Sequence, residues 1–172
     1  VVYLTKEELN ILVNTSMRNE QSKCAFLFAC FTGLRFSDIV SLKWIHIIKD
    51  DNGMRIDKNM VKTLDNVTIP LSEQALAFLP QKGKDDNVFR LPMYSSVNSS
   101  LKRWAERAGI EKNIHFHVSR HTFATLLLTQ GADLYTVSKL LGHKDIKVTQ
   151  VYAEIVNKKK IEATDLLNGI LS

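Results

Sequence analysis

The chain has 172 residues, enough for one domain with a real hydrophobic core. Hydrophobic residues make up 45% and charged residues 24%, which excludes a chain disordered throughout, and the net charge of +5 favours a polyanionic partner. Cys24 and Cys30 sit in one apolar stretch, no secretory signal pattern is present, and no run reaches the ~20 apolar residues of a membrane span, so the expectation is a reducing, cytoplasmic setting without a disulfide framework.

The predicted elements begin at Thr5-Lys-Glu-Glu8, a capping-box pattern opening a helix whose one face carries Leu9, Leu12 and Val13. A second helix is expected over 22–32, stopped by Gly33, and Ser37 reads as the cap of a short third helix holding Asp38, Ile39 and Leu42. The period then changes. Trp44-Ile-His-Ile-Ile48 is β-rich and runs into the turn signal Asp50-Asp-Asn-Gly53, while 54–57 and 67–71 read as two further strands joined through 62–66. Ser72 caps the next helix, which Pro80 ends, and 81–87 is a polar loop. Helices are expected over about 96–108, 119–129, 133–141, 146–153 and 157–167, with stops at Gly109, Gly131 and Gly142. The fold class is therefore mainly α with a small three-stranded antiparallel sheet, in a single domain over 1–172.

Three stretches carry candidate chemistry. His117-Val-Ser-Arg120-His121 enters a helix, so His117 and Arg120 share a face at its N-terminal end, where free N–H groups and the dipole already favour an anion. Arg35 lies between a glycine-terminated helix and a capped one, a tight turn in which its fork can be held rigidly against phosphate oxygens, with Asp38 either orienting it or capping the short helix. His143 follows Gly142 in a turn, and Tyr152 lies on the helix after it. Taken singly, each has a plain structural reading. A tyrosine on an amphipathic helix is usually core, and its hydroxyl, with a pKa near ~10, is a poor nucleophile without cations or a base beside it.

Five motifs occur in order: Gly33-Leu-Arg35-Phe-Ser-Asp38, Lys62-Thr63 ahead of Val67-Thr-Ile-Pro-Leu71, His117-x-x-Arg120-His-Thr-Phe-Ala-Thr125, Leu140-Leu-Gly-His143, and Thr149-x-x-Tyr152-Ala153. Together they resemble the catalytic domain of tyrosine recombinases, the family of phage and transposon integrases and the Xer proteins, over about 5–153. The resemblance implies a site-specific DNA recombinase in which Tyr152 attacks a phosphodiester and forms a 3′-phosphotyrosyl link. By the same resemblance Arg35 and Arg120 clamp the non-bridging oxygens, His143 donates to them, Lys62 is the general acid for the leaving 5′-oxygen and His117 the general base. His121 is expected to pack or hydrogen-bond behind the site. Ser119 stands where many members have Leu, and Lys58 competes with Lys62 for the acid's place, with Thr63 and the spacing to Ile69-Pro70 favouring Lys62.

No metal or nucleotide cofactor is implied, because the covalent link stores the bond energy for rejoining. The implied partner is double-stranded DNA, bound by a homo-tetramer of chains that are monomers when free. An N-terminal helical domain that completes a clamp around DNA is expected to precede the chain in the whole protein. The segment 157–172, with Ile161, Leu166, Leu167 and Ile170, is expected to dock on a neighbouring protomer. Other readings are a type IB topoisomerase, a non-catalytic helix-turn-helix module over 133–154, and a zinc enzyme on His115, His117 and His121.

Overall fold

The computed structural model describes residues 1–171. Helices α1 (Lys6–Asn14), α2 (Glu20–Cys30) and α3 (Phe36–Val40) precede strands β1 (Ile47–Asp50), β2 (Gly53–Asn59) and β3 (Asn66–Pro70). Helices α4 (Glu73–Ala77), α5 (Tyr94–Arg107), α6 (Val118–Thr129), α7 (Leu134–Leu140) and α8 (Lys147–Asp165) complete the chain. The sheet is antiparallel in the order β1-β2-β3, with Ile56 opposite both Ile47 and Ile69. The expected class, mainly helical with one small sheet, is the observed one.

α2 is the axis of the core. Its run Ala25 to Cys30 has no exposed side, as a helix apolar all round must be when other elements surround it. Phe26 meets Trp104 of α5 edge-on at 6.0 Å and Phe116 at 5.8 Å, and Phe36 meets Phe116 at 5.1 Å. Phe116 immediately precedes His117, so this aromatic packing anchors the turn that opens α6. A second apolar cluster of Phe123, Ala124, Val137, Leu141 and Tyr152 binds α6, α7 and α8 together.

Local structure departs from expectation at three places. Ser37 is not a cap: α3 starts directly after Arg35, whose φ of −72° and ψ of 160° make it the N-cap residue, and Ser37 lies within the first turn. Trp44–His46 forms a 3₁₀ turn rather than a strand, because the Lys43 N–H donates to His46 Nδ1 at 3.0 Å and closes the chain locally. The two helices expected over 146–153 and 157–167 are one, α8. Nothing from Glu154 to Asn157 breaks a helix, since Gly and Pro are absent there and Asn157 stays in register.

Candidate active site

Arg120 is the best-fixed group of the site. Although only 2% exposed, it donates from Nη1 to the Gly33 carbonyl at 2.7 Å and from Nη2 to the Leu141 carbonyl at 2.6 Å. Its fork is thereby held between the end of α2 and the end of α7. Gly33 is required here for two reasons: its φ is +74°, and a Cβ would stand 2.5 Å from Phe123 Cδ1. Burial first, and the Arg35 charge second, bring Arg120 down to about 10, so it stays protonated at neutral pH.

His143 follows Gly142, whose φ is +67° and whose Cβ would meet Val67 Cγ2 at 3.1 Å. Its Nε2 lies 3.1 Å from Arg120 Nη2 and its Nδ1 lies 2.7 Å from Thr149 Oγ1. A guanidinium can only donate, so Nε2 accepts and the ring proton sits on Nδ1, pointing at Thr149. Burial, then the Arg120 and Arg35 charges, lower His143 to about 4, which keeps it neutral.

Tyr152 is 5% exposed, and its hydroxyl lies 2.7 Å from His121 Nδ1. Burial raises its pKa while the Arg120 and Arg35 charges oppose the rise. His121 is lowered to about 4 by burial and by its histidine neighbours, so at neutral pH it is uncharged. His117 stands edge-on to His121, ring centroids 4.6 Å apart, and makes no hydrogen bond with Tyr152 among the described residues. His117 is the residue expected to serve the tyrosine, with His121 packing or hydrogen-bonding behind the site; the imidazole at the Tyr152 hydroxyl is His121. The two histidines, His117 as the N-cap of α6 and His121 within it, are four residues apart, about one turn, so the setting of α8 decides which one meets Tyr152.

Arg35 is half-buried, with its Nη1 buried and without a hydrogen-bond partner. Its charge bears on His117, Arg120, His143 and Tyr152, so it lies within electrostatic reach of each. A buried donor left unsatisfied in the absence of ligand is what an anion subsite requires. Asp38 neither caps α3 nor bonds Arg35. Its Oδ1 accepts from the Val61 N–H at 2.8 Å and lies 3.8 Å from Lys58 Nζ, so it ties α3 to the β2–β3 turn.

That turn carries Lys62. Lys58 lies within β2 with its side chain 5% exposed and committed to Asp38, whereas Lys62 is exposed and has no hydrogen bond or ion pair among the described residues. Lys62 is near enough for its charge to help hold His117 below the ordinary imidazole range, behind burial and the nearer cations. Asp65, at the other end of the turn, pairs with Lys144 at 3.6 Å, beside His143.

The structure therefore brings Arg35, Lys62, His117, Arg120, His121, His143 and Tyr152 to one place, with Asp38 tying α3 to the turn that carries Lys62. Sequence reasoning missed the role of Thr149 and the two carbonyls that grip Arg120. Thr149 stands three residues before Tyr152, a visible signal, but backbone acceptors leave no trace in residue identity. Among the described residues no three His, Cys, Asp or Glu side chains converge as metal ligands, so His115, His117 and His121 do not form a zinc-like set. No described helix is long and apolar enough to cross a membrane.

Comparison with known structures shows the fold. The catalytic domain of bacteriophage HP1 integrase superposes with a TM-score of 0.71 at 24% identity, covering 98% of each chain. XerH site-specific recombinase bound to palindromic difH substrate, in a post-cleavage complex, gives 0.75 at 21% identity over 95% of this chain and 52% of that one. The architecture is that of the catalytic domains of DNA integrases and recombinases. Residues 2–159 match the Phage integrase family, and the chain belongs to it. A tyrosine recombinase of Pseudothermotoga lettingae is 29% identical over 96% of this chain and 60% of its own length. The chain spans about half the length of the curated relatives it matches.

Proposed function

We propose that this chain is the catalytic domain of a site-specific DNA recombinase that cuts and rejoins double-stranded DNA through a 3′-phosphotyrosyl intermediate on Tyr152. The observation that carries the reading is the pairing of two guanidiniums, one clamped and one with a free buried donor, around a tyrosine already bonded to a neutral imidazole. The XerH complex, captured after cleavage of its own DNA substrate, supports DNA as the partner.

A phosphate entering between Arg35 and Arg120 receives the free Nη1 of Arg35 and the outer edge of Arg120. As Tyr152 attacks, its proton passes to His121 Nδ1, and negative charge grows on the non-bridging oxygens, where fixed cations stabilise it without reorganising. His143 becomes a donor to those oxygens once the incoming anion raises its proton affinity. Lys62, free on its turn, protonates the departing 5′-oxygen. His117, next to His121 and nearer the cations, contacts the phosphate rather than the tyrosine.

In the whole protein a further N-terminal helical domain completes the DNA clamp, four protomers act together on DNA, and the setting is cytoplasmic. Leu166, Leu167, Ile170 and Leu171 are exposed beyond α8, and an apolar groove of about 590 Å³ lies between Leu9, Phe31, Phe123, Leu126, Leu127 and Leu140. The tail of one protomer seated in this groove of the next links the tetramer.

A nicked suicide DNA substrate carrying the cognate site tests the reading with the full-length protein. A denaturant-resistant protein–DNA adduct that disappears in Tyr152→Phe is expected. Adduct formation by Tyr152→Phe, or none by wild type, overturns it. Site-independent relaxation of supercoiled DNA turns the reading towards a type IB topoisomerase. Truncation after Asp165 is expected to abolish synapsis and spare first-strand cleavage.

A further inference from the structure

Thr149, Tyr152, Val156 and Lys159 form one stripe along α8, spaced three, four and three residues apart. Three of them are fixed by contacts already described or by the core: Thr149 by His143, Tyr152 by His121, and Val156 by burial to 7% exposure. Past Val156 every described residue of α8 is exposed. The far half of the helix is held at Lys159, whose ammonium lies over the Tyr3 ring, 4.8 Å from its centroid.

The same ring carries a second cation. Lys112 Nζ stands 5.3 Å from the Tyr3 centroid and also donates to the Tyr3 carbonyl at 2.9 Å and to Glu8 Oε2 at 2.7 Å. The next residue, Leu4, is 1% exposed and donates its backbone N–H to Thr122 Oγ1 at 2.9 Å. Thr122 directly follows His121. Residues 1–4 thus form a strap joined to α6 beside the proton acceptor, to the loop before α6 through Lys112, and to α8 through Lys159.

We propose that Tyr3 is a positioning residue for cleavage: its ring fixes the rotation and tilt of α8 and so keeps the Tyr152 hydroxyl at His121 and in the field of the two arginines. The inference rests on the reading of Tyr152 as the nucleophile. Lys159 lies about 10 Å along the helix from Tyr152 at 1.5 Å per residue, which makes it an effective lever on a helix unsupported beyond Val156. Reaction geometry tolerates errors of only about 0.5 Å, so loss of this contact slows cleavage without loosening DNA.

The test is single-turnover adduct formation on the suicide substrate by the full-length protein, with DNA affinity measured alongside. Tyr3→Ala and Lys159→Ala are each expected to slow cleavage about two- to fivefold, the scale of an exposed cation–π contact, with DNA affinity unchanged. Tyr3→Phe keeps the ring and is expected to match wild type. The double variant is expected to be no slower than the worse single one, because both remove the same contact. Tyr3→Phe as slow as Tyr3→Ala, faster cleavage on release of the strap, additive defects, or a parallel loss of DNA affinity each overturn the proposal. Tyr152→Phe run beside them keeps the two claims apart: residual adduct there defeats the nucleophile assignment, whatever Tyr3 does.

Discussion

Replacing Asp38 by Ala removes two things at once. The Val61 N–H loses its acceptor at 2.8 Å, and Lys58, whose side chain is 5% exposed, loses the carboxylate 3.8 Å away. Orphaning the Val61 donor, which is only part-buried, costs at most about 1–3 kcal/mol, and breaking a buried ion pair about 3–5 kcal/mol. The two overlap, and the 3.8 Å separation puts the pair at the weak end, so about 3–5 kcal/mol is expected in all. For a domain of this size each kcal/mol moves Tm by about 2–4 °C, which gives a fall of about 6–20 °C. Asp38→Asn keeps an acceptor for Val61 and removes only the charge, so it should cost less. Lys58→Met added to Asp38→Asn should recover most of the loss, because no unpaired charge then stays buried. Thermal denaturation followed by circular dichroism measures all three. A Tm for Asp38→Ala within 2 °C of wild type, or Asn as damaging as Ala, refutes this account of the β2–β3 turn. With Lys62 as the proposed acid, the functional counterpart is slow cleavage by Asp38→Asn that a 5′-bridging sulfur substrate restores, since a thiolate leaves without an acid.

Gly33→Ala forces a side chain into left-handed backbone and against Phe123 at 2.5 Å, while disturbing the carbonyl that holds Arg120; a loss of about 2–4 kcal/mol in urea unfolding, with cleavage abolished, is expected. Leu64 has φ of 60° in the turn carrying Lys62 and is 78% exposed, so Leu64→Gly should raise stability by about 1 kcal/mol; a lower urea midpoint counts against the strain. Burial holds His121 and His143 near 4 when folded, against an ordinary imidazole value of 6.5, so the unfolded chain binds more protons between those limits. The stability they contribute is full above pH 6.5 and is lost as pH falls towards 4; a urea midpoint unchanged from pH 7 to 4.5 contradicts this. His121→Ala should slow adduct formation more than His117→Ala on a substrate whose sulfur leaving group removes the need for an acid, and the reverse order returns the base role to His117.

The order and type of most elements are legible in residue identity, because period, caps and breakers are local properties. The capping box at Thr5–Glu8, the strand pattern of 67–71 and the stops at Gly33 and Gly142 needed no tertiary information. The set of side chains that the fold gathers was also legible, since Arg35, Lys62, His117, Arg120, His143 and Tyr152 stand in a recognisable order. Partnership among them was not. Whether Asp38 serves Arg35 or Val61, and whether His117 or His121 meets Tyr152, depends on how α3, α6 and α8 pack against the sheet and one another. Those choices are made by shape over distances that sequence spacing does not encode, and by backbone carbonyls such as those of Gly33 and Leu141 that every residue possesses. The sequence by itself determined the list of groups and the local turns that present them; the tertiary structure alone decided which atom faces which, because only packing brings residues 87 and 21 positions apart onto one guanidinium.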